Sequence, residues 1–498
     1  MNDLSLSLKP ELKSSLPVKV LQFGEGNFLR GFIDWMVFKM NEKGLFNGRV
    51  AVVQPTPRGR VLPKLEAQDF LYTTILHGIA GGKSVEDIEV VNAIAGGVNP
   101  YENWAGVLEY AASEDLQFVF SNTTEAGITY QKEEPLSDSV APVTFPGKLT
   151  AFLYKRFETF KSCQCGKGLT VMPCELIEDN GTRLKEIVLQ HIEDWHLGAE
   201  FKAFVCEDCR FLNTLVDRVV SGYPVNDAAE YEQKLGYKDS LMTCGETFGF
   251  MAIEGGEDVK EMLPFEKAGL NVIVAPDIAP YRLRKVRILN GAHTANVPAA
   301  FLAGLNTVDE MMAGEVTGPF VRSVVYDEII PAVNLDKGML TEFADAVMDR
   351  FSDPSMHHQL ASILMNSSAK VRARILPTIL DARARGILPV KLCFAMAAYI
   401  ALYRNAAGVP VEVTREGGKS GSFVDDEYAV GVLSRAWSLY QKNETTARLT
   451  VEAVLSDTKL WGTSLASDVD FAAMVAKLTH AIITDGVTAT MRDLLRHN

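Results

Sequence analysis

The amino-acid sequence predicts an α/β protein with a layered first domain, residues 1–280, and a mainly α-helical second domain, residues 281–498. In the first half, short apolar runs alternate with segments of helical periodicity, as they do in stacked βαβ units. Beyond Tyr281, helical periodicity dominates to the C-terminus. A chain of 498 residues also exceeds what one hydrophobic core usually organises, so at least two domains are expected.

Apolar runs of strand length, bounded by turn-forming residues, identify the predicted strands of the first domain. They cover residues 18–23, 50–54, 117–121, 169–174 and 271–275. A helix is predicted over residues 181–195, where apolar residues recur at helical spacing. In the second domain, the apolar run 388–403 contains Lys391 and is too short to span a bilayer, so it predicts a buried helix. Residues 408–426 are rich in Gly, Ser and charge and predict a long loop.

Composition narrows the class of protein. The net charge of −14 argues against a general nucleic-acid or anionic-membrane binder. The N-terminal residues show no signal-peptide pattern, so a cytoplasmic location with reduced thiols is expected. Cys163 and Cys165 could join Cys206 and Cys209 in a zinc site, but the first pair is too closely spaced. We therefore expect no metal site, and the sequence leaves the oligomeric state open.

A glycine-rich turn follows the first predicted strand. Gly24-Glu25-Gly26 stands between residues 18–23 and a segment of helical spacing. In a dinucleotide-binding turn, the first glycine permits the tight bend, the second lets a pyrophosphate approach, and the helix N-terminus binds it. The usual third glycine is replaced by Leu29, and Gly31 comes two residues late. The context predicts a Rossmann-type domain in which Arg30 could contact a phosphate, with an ordinary βα turn as the alternative.

Two further strand ends bear on the cofactor. An acidic residue commonly ends the second strand and binds the adenosine ribose, but Gln54 stands here. Arg58 and Arg60 lie close enough in the sequence to bind the extra phosphate of NADP. The sequence therefore favours NAD but does not exclude NADP. Ser121, Asn122 and Thr123 end a strand at the edge where open sheets bind ligands, and are predicted to line the nicotinamide ribose. A local Ser/Thr turn is the alternative.

Lys285, Asn290 and His293 form the most distinctive group. On an α-helix at about 100° per residue, Asn290 falls near 140° and His293 near 80° from Lys285. A lysine can exchange a proton with an alcohol or ketone, and an amide can stabilise the oxygen as charge develops. An ordinary polar helix face is the alternative. Asn180, at the start of a predicted helix, either caps that helix or supplies a second amide.

Taken together, these segments resemble the mannitol dehydrogenase family of polyol-specific long-chain dehydrogenases. The resemblance rests on residues 22–30, 120–128, 173–177, 180–181, 216–218 and 285–294, and extends over 351–377. It implies an N-terminal Rossmann-type domain, a helical C-terminal domain, NAD as cofactor and catalysis without metal. The implied cofactor-binding residues are Gln22, Phe23, Gly24, Glu25, Gly26, Asn27, Phe28, Leu29, Arg30, Gln54, Ser121, Asn122 and Thr123.

The resemblance also implies roles for the polar residues. Lys285 would be the general acid/base, Asn180 and Asn290 would hold the developing alkoxide, and His293 would position the substrate. Asp217 matches a position close to the catalytic lysine. The quoted segments are most similar to those of members that act on sugar acids, whose carboxylate needs cationic partners. The candidates are His358, Lys370, Arg372 and Arg374, although a solvated basic helix face is the alternative.

The expected function is an NAD-dependent oxidoreductase acting on a CH–OH group of a small-molecule sugar acid. Three alternatives stay open at this point. The substrate could be a stereoisomeric sugar acid or a neutral polyol. In a different class, the chain could be a nucleotide-binding protein without turnover. Neither a nucleic acid nor a membrane is expected as a partner.

Overall fold

The computed structural model describes residues 1–80, 83–162 and 167–496. The chain divides into two compact units, the first comprising Met1–Gly78 with Val85–Ala279, and the second Ile79–Ser84 with Pro280–Asn498. The predicted α/β class is confirmed, because the first unit is built on a parallel sheet and the second is mainly helical. The structure does not test the possible zinc site, since Cys163 and Cys165 lie outside the described residues.

The strands of residues 18–275 include all five that the sequence predicts, with ends that agree within one residue. In chain order they are β1 (Val18–Phe23), β2 (Arg49–Val53), β3 (Tyr72–Ala80), β4 (Lys83–Val91), β5 (Ile94–Val98), β6 (Phe118–Ser121), β7 (Thr170–Pro173), β8 (Arg210–Phe211), β9 (Thr214–Asp217), β10 (Val220–Gly222), β11 (Thr243–Glu246), β12 (Phe250–Glu254) and β13 (Val272–Ala275).

The central sheet is parallel throughout, in the order β5-β2-β1-β6-β7-β8. The strand order reverses between β1 and β6, so the loops after these two strands meet where an open α/β sheet binds ligands. Both faces of the sheet are covered, since Val20 of β1 packs into one apolar core while Leu21 and Phe23 pack into another. This burial explains why the strands read as continuous apolar runs.

Two smaller sheets were not predicted. Their orders are β10-β11-β3-β4 and β13-β12-β9. Of their strands, the sequence predicts only β13. The others were missed because several are short or polar, as in β4, whose first four residues are exposed.

The helices of the first unit cover the sheets. Their bounds are Asn27–Leu29, Trp35–Glu42, Leu62–Ala67, Trp104–Ala111, Phe145–Phe160, Asn180–Asp194, Ala199–Ala203, Ala228–Leu235 and Glu257–Met262, with π-helical turns at Arg30–Asp34 and Phe204–Asp208, and 3₁₀ turns at Pro10–Leu12 and Glu125–Gly127.

The second unit is a helical assembly. Its helices are Ala279–Arg284, Gly291–Leu302, Val308–Ala313, Thr317–Ser323, Ile330–Ala332, Lys337–Phe351, Leu360–Leu364, Ser367–Lys370, Leu376–Ala384, Val390–Leu402, Glu427–Trp437, Glu444–Leu455, Thr458–Trp461, Val469–Thr484 and Val487–Arg496, with π-helical turns at Lys285–Asn290, Val324–Ile329 and Val371–Ile375, and 3₁₀ turns at Glu416–Gly418 and Leu465–Ser467. Every residue from Lys391 to Leu402 of the helix Val390–Leu402 is buried, as the sequence predicts. Among the described residues, no helix is both long and apolar enough to cross a membrane.

One loop prediction is wrong. Within residues 408–426, Val411–Thr414 (β14) and Ser420–Phe423 (β15) form an antiparallel hairpin. The signal was the alternation of β14, where Val411 and Val413 are buried and the residues between them are exposed. The Gly- and Ser-rich composition of the surrounding residues obscured this short period-two pattern.

Candidate functional site

The turn after β1 has the geometry that a dinucleotide requires. Gly24 adopts φ +122°, and a Cβ atom there would lie 3.0 Å from Leu29 Cδ1 and 3.3 Å from the Asn122 carbonyl oxygen. At Gly26, by contrast, an added Cβ would meet nothing within 4 Å, which leaves room beside the backbone. Gly26 precedes the helix and provides no side-chain cap, so the first N–H groups can bind an anion. These residues therefore fit a pyrophosphate.

Gly31 explains the missing third glycine. In the usual fingerprint that glycine allows close packing of helix on strand. Here Leu29 is buried, and it is Gly31 whose Cβ position lies 3.0 Å from Val220 and 3.1 Å from Thr243. A π-helical turn over Arg30–Asp34 accompanies this two-residue displacement. The close contact is thus retained at a different position of the helix.

A buried polar cluster lies beneath the turn. Gln22 Nε2 donates to the Gly24 carbonyl at 3.0 Å and to Asp34 Oδ2 at 3.2 Å. Burial raises the pKa of both Asp34 and Glu25 to about 7, against smaller opposing effects that include the charge of Arg30. Among the described residues, Gln22 Oε1, Glu25 Oε2 and Asp34 Oδ1 have no hydrogen-bond partner. The cluster therefore contains two carboxyl groups that are protonated over much of the acidic range.

Arg30 lies within this cluster and not at the surface. Its side chain is 2% exposed, it donates to Asn27 Oδ1 at 2.6 Å, and it lies over the Tyr72 ring at 5.4 Å. The phosphate contact expected for Arg30 stays a prediction, and the inward orientation favours a role in supporting the turn. The rings of Phe23 and Phe28 pack against Phe145 and Phe32, so both residues contribute to the core.

Gln54, at the end of β2, is folded back on its own loop. The residue is 2% exposed and donates from Nε2 to the Thr56 carbonyl at 2.7 Å. A Cβ atom at Gly59 would lie 2.4 Å from the Gln54 side chain, so the two residues pack closely. Contact between Gln54 and a ribose stays a prediction.

The loop after β6 is held by a residue that sequence reasoning missed. Glu175, two residues beyond β7, accepts hydrogen bonds from Ser121 Oγ at 3.0 Å and from the Thr123 N–H and hydroxyl at 2.9 and 3.0 Å. Asn122 Nδ2 donates to the Cys174 carbonyl at 2.8 Å. Glu175 could have been found from its position, because β6 and β7 were both predicted and parallel neighbours end at the same edge.

Asn180 is the first residue of its helix, and Asp179 occupies the N-cap position. The Asn180 amide is 1% exposed. Its Oδ1 accepts from the N–H groups of Gly181 and Thr214, each at 2.9 Å, and its Nδ2 donates to the Pro173 carbonyl at 2.9 Å. The amide therefore joins the ends of β7 and β9 in this structure, and its contact with a substrate oxygen stays a prediction. Asp217, buried at the end of β9, is the other expected site residue of this region.

In the second unit, the expected α-helical path of Lys285, Asn290 and His293 is wrong. Residues Lys285–Asn290 form a π-helical turn, followed by an α-helix from Gly291 to Leu302. The i→i+5 hydrogen bonds of a π turn accommodate one extra residue. With one residue taken up by the wider turn, the rotation about the helix axis from Lys285 is about 40° to Asn290, and His293 lies within about 20° of Lys285. The wider turn therefore aligns the three side chains better than a regular α-helix would.

His293 lies in an aromatic and cationic environment. Its ring stacks on Phe351 with centroids 4.1 Å apart and meets His358 edge-on at 5.5 Å. Burial, followed by the positive charges of His358, Arg350, Arg374 and Lys370, holds the pKa of His293 well below its usual value. His293 Nε2 is buried and has no hydrogen-bond partner among the described residues. A neutral imidazole with an unused nitrogen can bind a hydroxyl group.

The basic candidates separate into two groups. Arg374 NH1 lies 3.4 Å from Thr294 Oγ1, beside His293, and Lys370 donates to the Ile363 carbonyl at 2.7 Å. Burial lowers the pKa of Arg374, Lys370 and His358, and the charge of a neighbouring basic group adds to this effect for Lys370 and His358. Arg372 is exposed and lies near Gly462 instead, where a Cβ atom would be 3.1 Å from its guanidinium.

The segment that carries Lys370 and Arg374 is anchored by Asp425, which sequence reasoning also missed. Asp425 Oδ2 accepts from the Ser368 N–H at 3.0 Å, from its hydroxyl at 2.6 Å, and from the Tyr403 hydroxyl. Tyr399 lies 2.6 Å from the same serine hydroxyl. All four residues are buried, so this network fixes the start of the helix that ends at Lys370.

Within residues 1–80, 83–162 and 167–496, no three His, Cys, Asp or Glu side chains are grouped as a metal site would need. Cys206 is exposed and Cys209 is buried, and both are free thiols.

The buried acids beneath the turn predict an unusual pH dependence of stability. Between about pH 4 and pH 7, folded Asp34 holds a proton that the unfolded chain has released, so stability falls as the pH rises. Asp34→Asn removes this contribution. The difference in unfolding free energy between about pH 5 and pH 8 should therefore shrink in Asp34→Asn, measured by urea denaturation at each pH. Asp138→Asn, at an exposed position, is the control and should leave the difference unchanged. An unaltered pH dependence in Asp34→Asn would contradict the assignment.

Comparison with known proteins matches both halves of the chain. Residues 18–267 match the mannitol dehydrogenase Rossmann domain, and residues 277–483 match the mannitol dehydrogenase C-terminal domain. The chain is 42% identical to an altronate oxidoreductase of Halalkalibacterium halodurans, over 97% of this chain and 94% of that protein. It is 40% identical to an altronate oxidoreductase of Bacillus subtilis, over 90% of this chain and 89% of that protein.

Solved structures share the fold. A D-sorbitol dehydrogenase in substrate-free form superimposes with a TM-score of 0.78 at 21% identity, covering 98% of this chain and all of that one. The Pseudomonas fluorescens mannitol 2-dehydrogenase, solved as a ternary complex with NAD and D-mannitol, has a TM-score of 0.69 at 20% identity and full coverage of both chains. With both domain models matched and full-length relatives near 40% identity, the chain belongs to the mannitol dehydrogenase family.

Proposed function

We propose that the protein is an NAD-dependent oxidoreductase that interconverts D-tagaturonate and D-altronate. The observation that carries the proposal is the buried Nε2 of His293, which lies among Lys370, Arg374 and His358 and has no hydrogen-bond partner in the described part of the chain. A cationic pocket of this kind suits a sugar acid better than a neutral polyol, because it can neutralise the carboxylate. The similarity to altronate oxidoreductases supports the same substrate class.

The cofactor would be held by the first unit. The backbone of residues 24–27 would bind the pyrophosphate, Gln54 would lie near the adenosine ribose, and Ser121–Thr123 would line the nicotinamide end. When bound, NADH supplies the hydride that reduces the ketone. NAD is favoured over NADP as the sequence suggests, and a cytoplasmic location is part of the proposal.

The second unit would supply the residues that transfer the proton. In the reducing direction, the Lys285 ammonium donates a proton to the ketone oxygen, and in the oxidising direction neutral Lys285 accepts it. The Asn290 amide would donate a hydrogen bond to the oxygen as negative charge develops, and such a donor contributes roughly 3 kcal/mol of transition-state stabilisation. Neutral His293 would bind a neighbouring hydroxyl group through Nε2. Asn180 and Asp217 are proposed to complete the site.

The proposal is tested directly by following NADH oxidation with tagaturonate, fructuronate and fructose in parallel, with and without a chelator. We expect tagaturonate to give the highest kcat/KM and the chelator to have no effect. Preference for fructuronate would reassign the substrate to the stereoisomer, and preference for fructose would contradict the sugar-acid assignment. Binding of NADH without turnover of any substrate would identify a nucleotide-binding protein.

Lys285→Ala tests the acid/base assignment. Because general acid–base catalysis contributes typically about 10²–10⁴-fold, kcat should fall by that order. The affinity for NADH, measured by fluorescence titration, should stay close to that of the unmodified protein. Lys477→Ala, at an exposed helix position, is the matched control and should retain full activity. Near-normal turnover in Lys285→Ala would refute the role.

Arg374 and Arg372 test the carboxylate site, since they lie on one segment in different surroundings. Arg374→Gln should raise KM for tagaturonate by roughly 10- to 100-fold, because a charged hydrogen bond contributes about 1.5–3 kcal/mol. Arg372→Gln should have a much smaller effect, since its guanidinium lies near Gly462. Steady-state kinetics of both variants, on tagaturonate and on a neutral ketose, distinguishes the role of Arg374 from that of Arg372. A larger effect at Arg372, or equal effects on both substrates, would overturn the assignment.

A further inference from the structure

Glu175 is a buried acid. The residue is 2% exposed and stands two positions beyond β7, at the edge of the sheet where ligands bind. Burial raises its pKa, while hydrogen bonds from Thr123 and Ser121 partly oppose the change. It forms no ion pair within the part of the chain that the structure describes. A group this costly to bury needs an explanation.

The contacts of Glu175 all converge on one loop. Oε1 accepts from both the N–H and the hydroxyl of Thr123, and Oε2 accepts from the hydroxyl of Ser121. Asn122, between them, is held by the Cys174 carbonyl. Ser121, which ends β6, and the two residues after it are therefore fixed by Cys174 and Glu175, the two residues after β7.

The same loop carries backbone strain. Thr124 adopts φ 111° and ψ 164°, a region that is essentially restricted to glycine. Such a conformation costs about 1–3 kcal/mol and persists only where neighbouring contacts enforce it. The hydrogen bonds of Glu175 to Thr123 are the adjacent contacts that can do so. The loop is therefore held in a shape that it would not adopt by itself.

Glu175 also reaches the proposed amide of the site through its backbone. Asn180 Nδ2 lies 3.1 Å from the Glu175 carbonyl oxygen and 2.9 Å from that of Pro173. One short segment thus links the cofactor loop after β6 to the start of the helix that carries Asn180. A substitution at Glu175 would therefore affect both the loop after β6 and the start of the helix that carries Asn180.

We propose that Glu175 is a positioning residue that holds the Ser121–Thr123 loop in the conformation required by the nicotinamide end of the cofactor. The inference rests on the proposed function for the identity of the cofactor. Glu175 holds this loop through hydrogen bonds and not through its charge. A protonated carboxyl can donate to Ser121 Oγ while its other oxygen still accepts from Thr123, and a glutamine can do the same.

The test compares Glu175→Leu with Glu175→Gln. Leucine removes every acceptor at similar volume, so kcat should fall roughly 10- to 100-fold, as small misplacements of reacting groups do. Affinity for NADH should fall as well. Affinity for ADP, which lacks both the nicotinamide and its ribose, should not change. Glutamine should restore both kcat and NADH affinity nearly to the level of the unmodified protein.

Glu133→Leu is the matched control. Glu133 also clamps a loop, accepting from the N–H groups of Val143 and Thr144 and from the Thr144 hydroxyl. Its loss should lower the melting temperature without making NADH affinity fall relative to ADP affinity. If Glu175→Leu does not fold, Glu175→Asp replaces it. The shorter aspartate side chain moves the acceptor oxygens away from the loop. NADH affinity should therefore fall again while ADP affinity stays unchanged.

Three results would overturn the proposal. The first is NADH affinity and kcat in Glu175→Leu equal to those of the unmodified protein. The second is an equal loss of NADH and ADP affinity, which a purely structural role would give. The third is a Glu175→Gln variant as impaired as Glu175→Leu, which would make the charge itself the active feature. Failure of the proposed substrate is distinguishable, because it shows in the unmodified enzyme while the two binding measurements remain informative.

Discussion

The hydrogen bonds that tie the end of β6 to the end of β7 are the constraint on which the first unit's candidate site depends. A parallel sheet brings the carboxyl ends of its strands to one edge, but it leaves the loops beyond them free to vary. Here the β6 loop is joined to Glu175, and the Asn180 amide joins β7 to β9. The glycine turn after β1 packs against the same region, since Gly24 faces the Asn122 carbonyl. The loops therefore behave as one preorganised surface.

The second unit relies on a different principle, which is desolvation among like charges. His293 is kept neutral by burial and by the basic groups around it, and those groups are themselves partly buried. Placing cations together costs free energy that an anionic ligand would recover. The Asp425 network holds the basic segment in place at one end. An anionic ligand at the proposed carboxylate site would offset the repulsion among these basic groups.

The sequence was informative where a residue's role is local. The strand ends, the glycine turn and the buried helix could be predicted because apolar runs and glycine positions report backbone geometry directly. Glu175 was missed because its partners lie 52–54 residues away, and Asp425 because its partners lie 22 and 57 residues away, since no local pattern signals such pairings. The α-helical spacing assumed for Lys285 failed for a related reason, since a π turn leaves no mark on apolar periodicity over so few residues.

The π turn at Lys285–Asn290 makes the alignment of its side chains depend on chain length as well as on residue identity. A single-residue deletion within 286–289 would let the segment close into a regular α-helix, with little cost to the fold. Seven steps of about 100° would then leave His293 within about 20° of Lys285, so the alignment of the side chains would be kept. A sequence alignment could then show the lysine, the asparagine and the histidine all intact beside a gap of one position. Among homologues, such a gap would mark loss of the π turn and not loss of the alignment that the turn provides here.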